Sequence, residues 1–141
     1  MGRVEYIHIA AEHEHRTLPV DRVRAVAGRG LEGDRHAEKG DVTLIEAEAL
    51  EALAEEHGIE LEPGESRRQI TTRGISLNEL VGVRFRVGEV ECVGTELCEP
   101  CRHLEGLTQP GVLKGLVHRA GINADVVTDG EIATGDPVVR C

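Results

Sequence analysis

The chain is nearly devoid of aromatic residues, with one Phe, one Tyr and no Trp in 141 positions. That length suffices for one domain with its own core, so Val, Leu, Ile and Ala must fill the interior. No apolar run approaches the roughly 20 residues of a membrane span. The opening "MGRVEYIHIAAEHEH" has no apolar stretch ending in a small-residue cleavage site, so no secretory signal is expected. Tyr6 stands where the myristoylation pattern needs Ser or Thr. Positive charge is also scarce: 16 Lys and Arg face 26 Asp and Glu, a net −10. That balance argues against nucleic acid and anionic membranes as partners. A cytoplasmic, reducing location follows as the expectation, in which the four cysteines are free thiols, metal ligands or catalytic groups. No internal repeat or linker is visible, so residues 1–141 are expected to form one domain.

What is present is glycine, 17 residues of it, and short alternating segments. "RVEYIHIA" alternates as a strand with Val4, Tyr6 and His8 on one face. "LPVDRVRAVAG" reads as a second strand, and "GRGLEGDRHAEKGD" is too polar for anything but a loop. "VTLI" is a short buried strand. "EAEALEALAEEHG" is the clearest helix, with Leu50, Leu53 and Ala54 as its apolar stripe and Gly58 as its stop. A strand is expected near Arg67 to Thr71, and a short turn or helix over Leu77 to Leu80. "VRFRVGEVECVGTEL" reads as a hairpin with Val83, Phe85 and Val87 on one face. "PGVLKGLVHRAG" reads as a short helix, and "INADVVTDGEIATGDPVV" as strands broken by turns. Seven or eight short strands and two helices, with no βαβ unit evident, point to a mainly β fold: a bent, mostly antiparallel β-barrel with peripheral helices.

Three stretches carry chemistry. "CEPC" places Cys98 and Cys101 three residues apart, followed by Arg102 and His103. Such a pair can be half of a zinc site, a redox dithiol, or one reactive thiolate with a neighbour. Zinc needs two further ligands, and no second pair exists. A thioredoxin-type dithiol needs a strand–helix setting. A thiolate at Cys101 is favoured by the adjacent cations. The plain alternative is two small buried hydrophobes. "GLEGDRHAEKGD" offers Arg35 as an anion contact in a glycine-rich loop, or is an ordinary charged turn. "SRRQITTRG" concentrates Arg67, Arg68 and Arg73 in an acidic chain. Alternation on a strand would send Arg67 and Arg68 to opposite faces, one toward a bound anion and one to solvent. His13 and His15 could pair on a metal, though such runs are usually solvated.

Taken in order, "GLEGDRH", "VTLIEAEALEAL", "RRQITTRGISLNELVGVRFRVGEVECVGTELCEPCRHLE" and "GINADVVTDGEIATGDPVV" resemble the MOSC domain, the C-terminal domain of molybdenum cofactor sulfurases, in its small stand-alone form. The resemblance covers nearly the whole chain. It implies a strongly bent barrel akin to the pyruvate kinase β-barrel. It implies a functional cysteine at Cys101; beside it Cys98 is read as an auxiliary thiol that resolves a persulfide or limits oxidation. In the family that cysteine is associated with binding molybdenum cofactor (molybdopterin) or with carrying sulfur as a persulfide. In larger relatives that reduce N-hydroxylated compounds it is the metal ligand. Association with pyridoxal phosphate is a further family attribute. The implied cofactor contacts are Asp34, Arg35, His36, Arg67, Arg68, Arg73, Arg102 and His103. The implied partners are a molybdopterin-type anionic ligand and a sulfur donor such as a cysteine desulfurase. The chain departs from the family pattern at Gln69, where Asn is usual, and at Asn123, where Arg is usual. The His-Gly-Gly element of the larger reductases is also missing after "GDRH". Besides a cofactor-binding or sulfur-carrying protein, the residues leave open a small molybdenum-dependent reductase with external electron donors and a non-catalytic zinc module.

Overall fold

A computed structural model describes residues 2–10, 17–34, 40–98 and 111–141. Among them run eleven strands: β1 (Gly2–Ile9), β2 (Leu18–Val20), β3 (Arg22–Val26), β4 (Gly30–Leu31), β5 (Asp41–Glu46), β6 (Ile70–Arg73), β7 (Arg84–Val87), β8 (Val90–Leu97), β9 (Ile122–Val126), β10 (Gly130–Ala133) and β11 (Pro137–Arg140). Helix α1 (Ala47–His57) follows β5, and the short α2 (Val112–Gly115) precedes β9. Single 3₁₀ turns occupy Pro63–Ser66 and Leu77–Leu80.

The main sheet closes on itself. Its order is β11-β7-β8-β9-β5-β6-β1, and β1 pairs back to β11 through Gly2 and Arg3. Further along the same edge, Ile7–Ile9 of β1 pair with β2. Strands β10, β3 and β4 form a separate antiparallel sheet. The fold is therefore mainly β, a closed barrel with a few peripheral helices.

One pair departs from the antiparallel pattern. Strand β5 lies parallel to β6, with Leu44 opposite Ile70 and Glu46 opposite Thr72. A parallel pair needs a crossover, and α1 supplies it by starting at the residue after β5. This is a βαβ unit that the sequence reading did not find. Its signal was the "VTLI" run: Val42, Leu44 and Ile45 are all buried, as in strands covered on both faces. At the end of α1, Gly58 takes φ 67 and its N–H donates to the Ala54 carbonyl at 3.0 Å. That left-handed cap suits glycine.

Two apolar clusters result. The barrel interior holds Val4, Ile7, Leu44, Ile70, Phe85, Val87, Cys92, Ile122 and Val138 among others. A second cluster joins Leu53 of α1 to Ile59, Val112, Leu116 and Ala120. Strand β1 does not alternate as its sequence suggests. A register shift between Val4 and Tyr6 puts Val4, Ile7 and Ile9 in the interior and leaves Tyr6 and His8 on the other face. The expected strand through Arg67 is also displaced. Arg67 takes φ 64 at the end of the 3₁₀ turn, so the extended alternation of Arg67 and Arg68 does not occur. No helix among the described residues is long and apolar enough to cross a membrane.

Candidate functional site

A row of polar residues, joined by backbone and side-chain hydrogen bonds, runs across one level of the barrel from β1 to β8. On β1, the His8 N–H donates to the Gln69 carbonyl at 2.7 Å. Gln69, just before β6, makes a reciprocal pair with β5. Its Oε1 accepts from the Thr43 N–H at 2.9 Å, and its own N–H donates to Thr43 Oγ1 at 3.0 Å. Gln69 thus continues the β5–β6 pairing, through side-chain atoms, one position before the start of β6. Thr43 faces Asn123 on β9, and Asn123 faces Glu96 on β8.

Cys98 ends the row, directly after β8. Its N–H donates to the Gly121 carbonyl at 2.8 Å, and its Sγ donates to Asn123 Oδ1 at 3.3 Å. The Arg68 guanidinium bridges this end of the barrel. Nε donates to the Ala120 carbonyl at 2.8 Å and Nη2 to the Cys98 carbonyl at 3.2 Å. One half-buried cation thereby ties the end of β8 to the start of β9. Burial pushes the Cys98 thiol up from its ordinary value, and the Arg68 charge opposes that rise. Asp41 and Glu96 add to the rise.

Of the residues singled out from the sequence, Arg68 and Cys98 are brought together. Asp34 is buried and its Oδ1 accepts from the Ala10 N–H at 2.8 Å, which fastens the turn after β4 to the end of β1. Arg67 lies beside Arg68 and donates its N–H to the Gly64 carbonyl at 3.2 Å. Arg73 is placed elsewhere. It lies at the far end of β6, about 16 Å of extended chain from Arg68, and is paired with Glu5 at 2.9 Å and Glu51 at 2.7 Å. Those pairs join β1 and α1 to β6, so Arg73 serves the scaffold. Arg35, His36, Cys101, Arg102 and His103 lie outside the described residues, as do His13 and His15. Among the described residues no group of three or more His, Cys, Asp and Glu could hold a metal.

The remaining cysteines have different settings. Cys92 is fully buried in the barrel, and its thiol is pushed up to about 12 by desolvation. It is the small hydrophobe that the plain reading of cysteine expects. Cys141 is exposed at the end of the chain.

His8 was noted from the sequence only as a strand residue. It is 6% exposed, and among the described residues its Nδ1 finds no hydrogen-bond partner. Gly64 covers the ring so closely that a Cβ there would stand 2.9 Å from Cδ2. Burial lowers the His8 pKa from 6.5. The unfolded chain therefore binds a proton more readily than the folded one, and stability rises with pH. The contribution is complete above pH 6.5 and is lost as pH falls from there through the folded value. Glu46, raised by burial, acts in the opposite sense at lower pH. The difference in unfolding free energy between wild type and His8→Leu should thus shift against wild type as pH drops below 6.5. Denaturant titrations at several pH values check this; a pH-independent difference would contradict it.

The chain is thus a closed, mixed barrel in which the Arg68 guanidinium meets the Cys98 carbonyl at one end. The MOSC domain model matches residues 32–139, and the chain belongs to the MOSC domain family. Similar solved structures extend the likeness over the whole chain. The YuaD protein of Bacillus subtilis superposes with TM-score 0.84 at 18% identity, over 98% of this chain and 94% of that one. YiiM from Geobacillus stearothermophilus gives 0.80 at 18% identity, over 100% and 75%. YiiM from Escherichia coli gives 0.71 at 18% identity, over 99% and 69%. Identity this low speaks for a shared fold. No match was found among the curated proteins.

Proposed function

We propose that this MOSC domain carries sulfur on Cys101 and binds a molybdopterin-type anionic ligand at the Arg68–Cys98 end of the barrel. The observation that carries the reading is the Arg68 guanidinium, held against the Cys98 carbonyl where the "CEPC" segment begins. In a chain of net charge −10, a half-buried cation at that point favours an anion there. Chain geometry keeps the residue three positions after Cys98 within about 11 Å of it, Cα to Cα. Cys101, with Arg102 and His103 next to it, is the thiol whose neighbours favour the thiolate.

The donor set suits the ligand in kind. A thiol sulfur matches a soft metal or a sulfane sulfur, and arginine matches a phosphate. Arg68 and Arg67 would hold the phosphate of molybdopterin, which when bound supplies metal–sulfur chemistry. For sulfur carriage, the Cys101 thiolate attacks the terminal sulfur of a donor persulfide, such as that of a cysteine desulfurase. A Cys101–sulfur bond forms, the donor's sulfur–sulfur bond breaks, and the donor leaves as a thiolate.

The test is Cys101→Ser, with sulfane sulfur and bound pterin measured in gently purified protein. Wild type should contain one or both, the variant neither, and Cys98→Ser should retain what wild type holds. Wild-type amounts of both in Cys101→Ser would overturn the reading.

A further inference from the structure

The segment Gly94-Thr95-Glu96 contains a register shift, so that Glu96 rather than Thr95 stands opposite Asn123. Gly94 is pinned from the other side: its N–H donates to the Val83 carbonyl at 3.1 Å, its carbonyl accepts from Gly82 at 2.8 Å, and a Cβ would run into the Leu80 carbonyl. The shift therefore sits beside a fixed point, and it brings the Glu96 carboxylate to the Asn123 amide, Nδ2 to Oε1 at 3.3 Å. Bulges re-aim side chains in this way. A carboxylate only accepts hydrogen bonds, so the amide must turn its nitrogen to Glu96. Its oxygen is left facing Cys98 Sγ, where it accepts the S–H at 3.3 Å. An acceptor stabilises the thiol and not the thiolate.

We propose that Glu96 and Asn123 act as a positioning pair that keeps Cys98 protonated, so that Cys98 does not compete for sulfur held nearby. Among the described residues, the charged groups acting on Cys98 are Arg68 before β6, Asp41 at the start of β5 and Glu96 on β8, and of these three Arg68 alone favours the thiolate. The purpose of the pair rests on the sulfur-carrying reading of Cys101. A Cys98 thiolate would attack the inner sulfur of a Cys101 persulfide. A Cys98–Cys101 disulfide would form, the persulfide bond would break, and the outer sulfur would leave with the electron pair as hydrosulfide. A protonated Cys98 withholds that reaction. Without the Glu96 carboxylate the amide is free to turn, presenting N–H to Sγ and favouring the thiolate.

The experiment measures iodoacetamide alkylation of Cys98 against pH in full-length Cys101→Ser/Cys141→Ser protein, where the other thiol, Cys92, is buried. The thiolate is the reacting form, and each unit by which the pKa falls raises the thiolate fraction at neutral pH about tenfold, a gain only partly offset by the lower nucleophilicity of a less basic thiolate. Glu96→Gln should move the pH–rate profile to lower pH and speed alkylation at pH 7. Removing a negative charge would do part of this directly, so Glu96→Gln is repeated in an Asn123→Ala background. The inference expects the shift to shrink there. A shift of equal size in both backgrounds, or none in either, overturns it. In a second arm, proteins with Cys98 and Cys101 intact are loaded with inorganic polysulfide, and Glu96→Gln should release sulfide faster than wild type. Failure to load any sulfur on Cys101 would defeat the sulfur-carrying reading while leaving the alkylation result to stand alone.

Discussion

Gly121→Ala is expected to cost at least about 4 kcal/mol, in the range reached only by severe clashes or buried defects. Gly121 has φ 96, and a Cβ there would enter the Leu44 carbonyl oxygen and lie 2.8 Å from the carbonyl carbon. That oxygen belongs to the middle of β5, which is paired on both edges, to Ile122 of β9 and Ile70 of β6. It has no room to withdraw without opening one ladder. The damage also reaches the thiol, because the Gly121 carbonyl accepts the Cys98 N–H. Gly135→Ala is the control. It has a similar φ of 89 with nothing among the described residues within 4 Å of the added carbon, so it bears only backbone strain, about 1–2 kcal/mol. Urea unfolding of both variants should separate them widely; equal losses would show that the approach to Leu44 is not what limits this position.

Phe85→Ala should cost about 3–5 kcal/mol. Phe85 is fully buried in the barrel and is the largest side chain there. Its companions in that cluster include Val87, Val90, Cys92, Ala124 and Val138. Small and β-branched groups on a closed ladder have few rotamers with which to fill a void. Phe85→Leu keeps part of the volume and should lose much less. Denaturant midpoints for the two variants check this. A loss below about 1.5 kcal/mol for alanine, the range of volume-conserving swaps, would mean that the barrel collapses around the gap.

The two variants mark the boundary between what was legible in the sequence and what was not. Phe85 could be placed inside from alternation with Val87 in a strand running into a Gly88 turn, and the structure buries both. Helix α1 and its glycine stop were equally legible, since propensity and cap are local; of the expected stripe Leu53 is fully buried, while Leu50 and Ala54 are half-buried and Ala47 and Ala49 face inward instead. The order of short strands and the glycine-rich joints pointed to a barrel. The parallel rung between β5 and β6 was missed because strand direction depends on how the chain returns, and a four-residue apolar run carries no direction. The bulge in β1 was missed for a similar reason. A one-residue slip reverses the face of every later side chain, and nothing in "RVEYIHIA" marks it.

The candidate site divides in the same way. Sequence alone singled out the thiols and the arginines, because cysteine and a cluster of cations in an acidic chain are chemically conspicuous. It could not separate Arg68 from Arg73. Both stand in one short stretch, but five residues of extended chain carry them to opposite ends of β6, one to the Cys98 carbonyl and the other to Glu5 and Glu51. Glu96 and Asn123 come from strands far apart in the chain, and only the register of β8 on β9 makes them neighbours. Composition and local periodicity determined that this protein is a mainly β chain with an aliphatic core and a chemically conspicuous thiol at Cys98. Which polar groups meet that thiol was decided by strand pairing and one bulge, because contacts between distant residues are set by register, a property of two strands together and of neither alone.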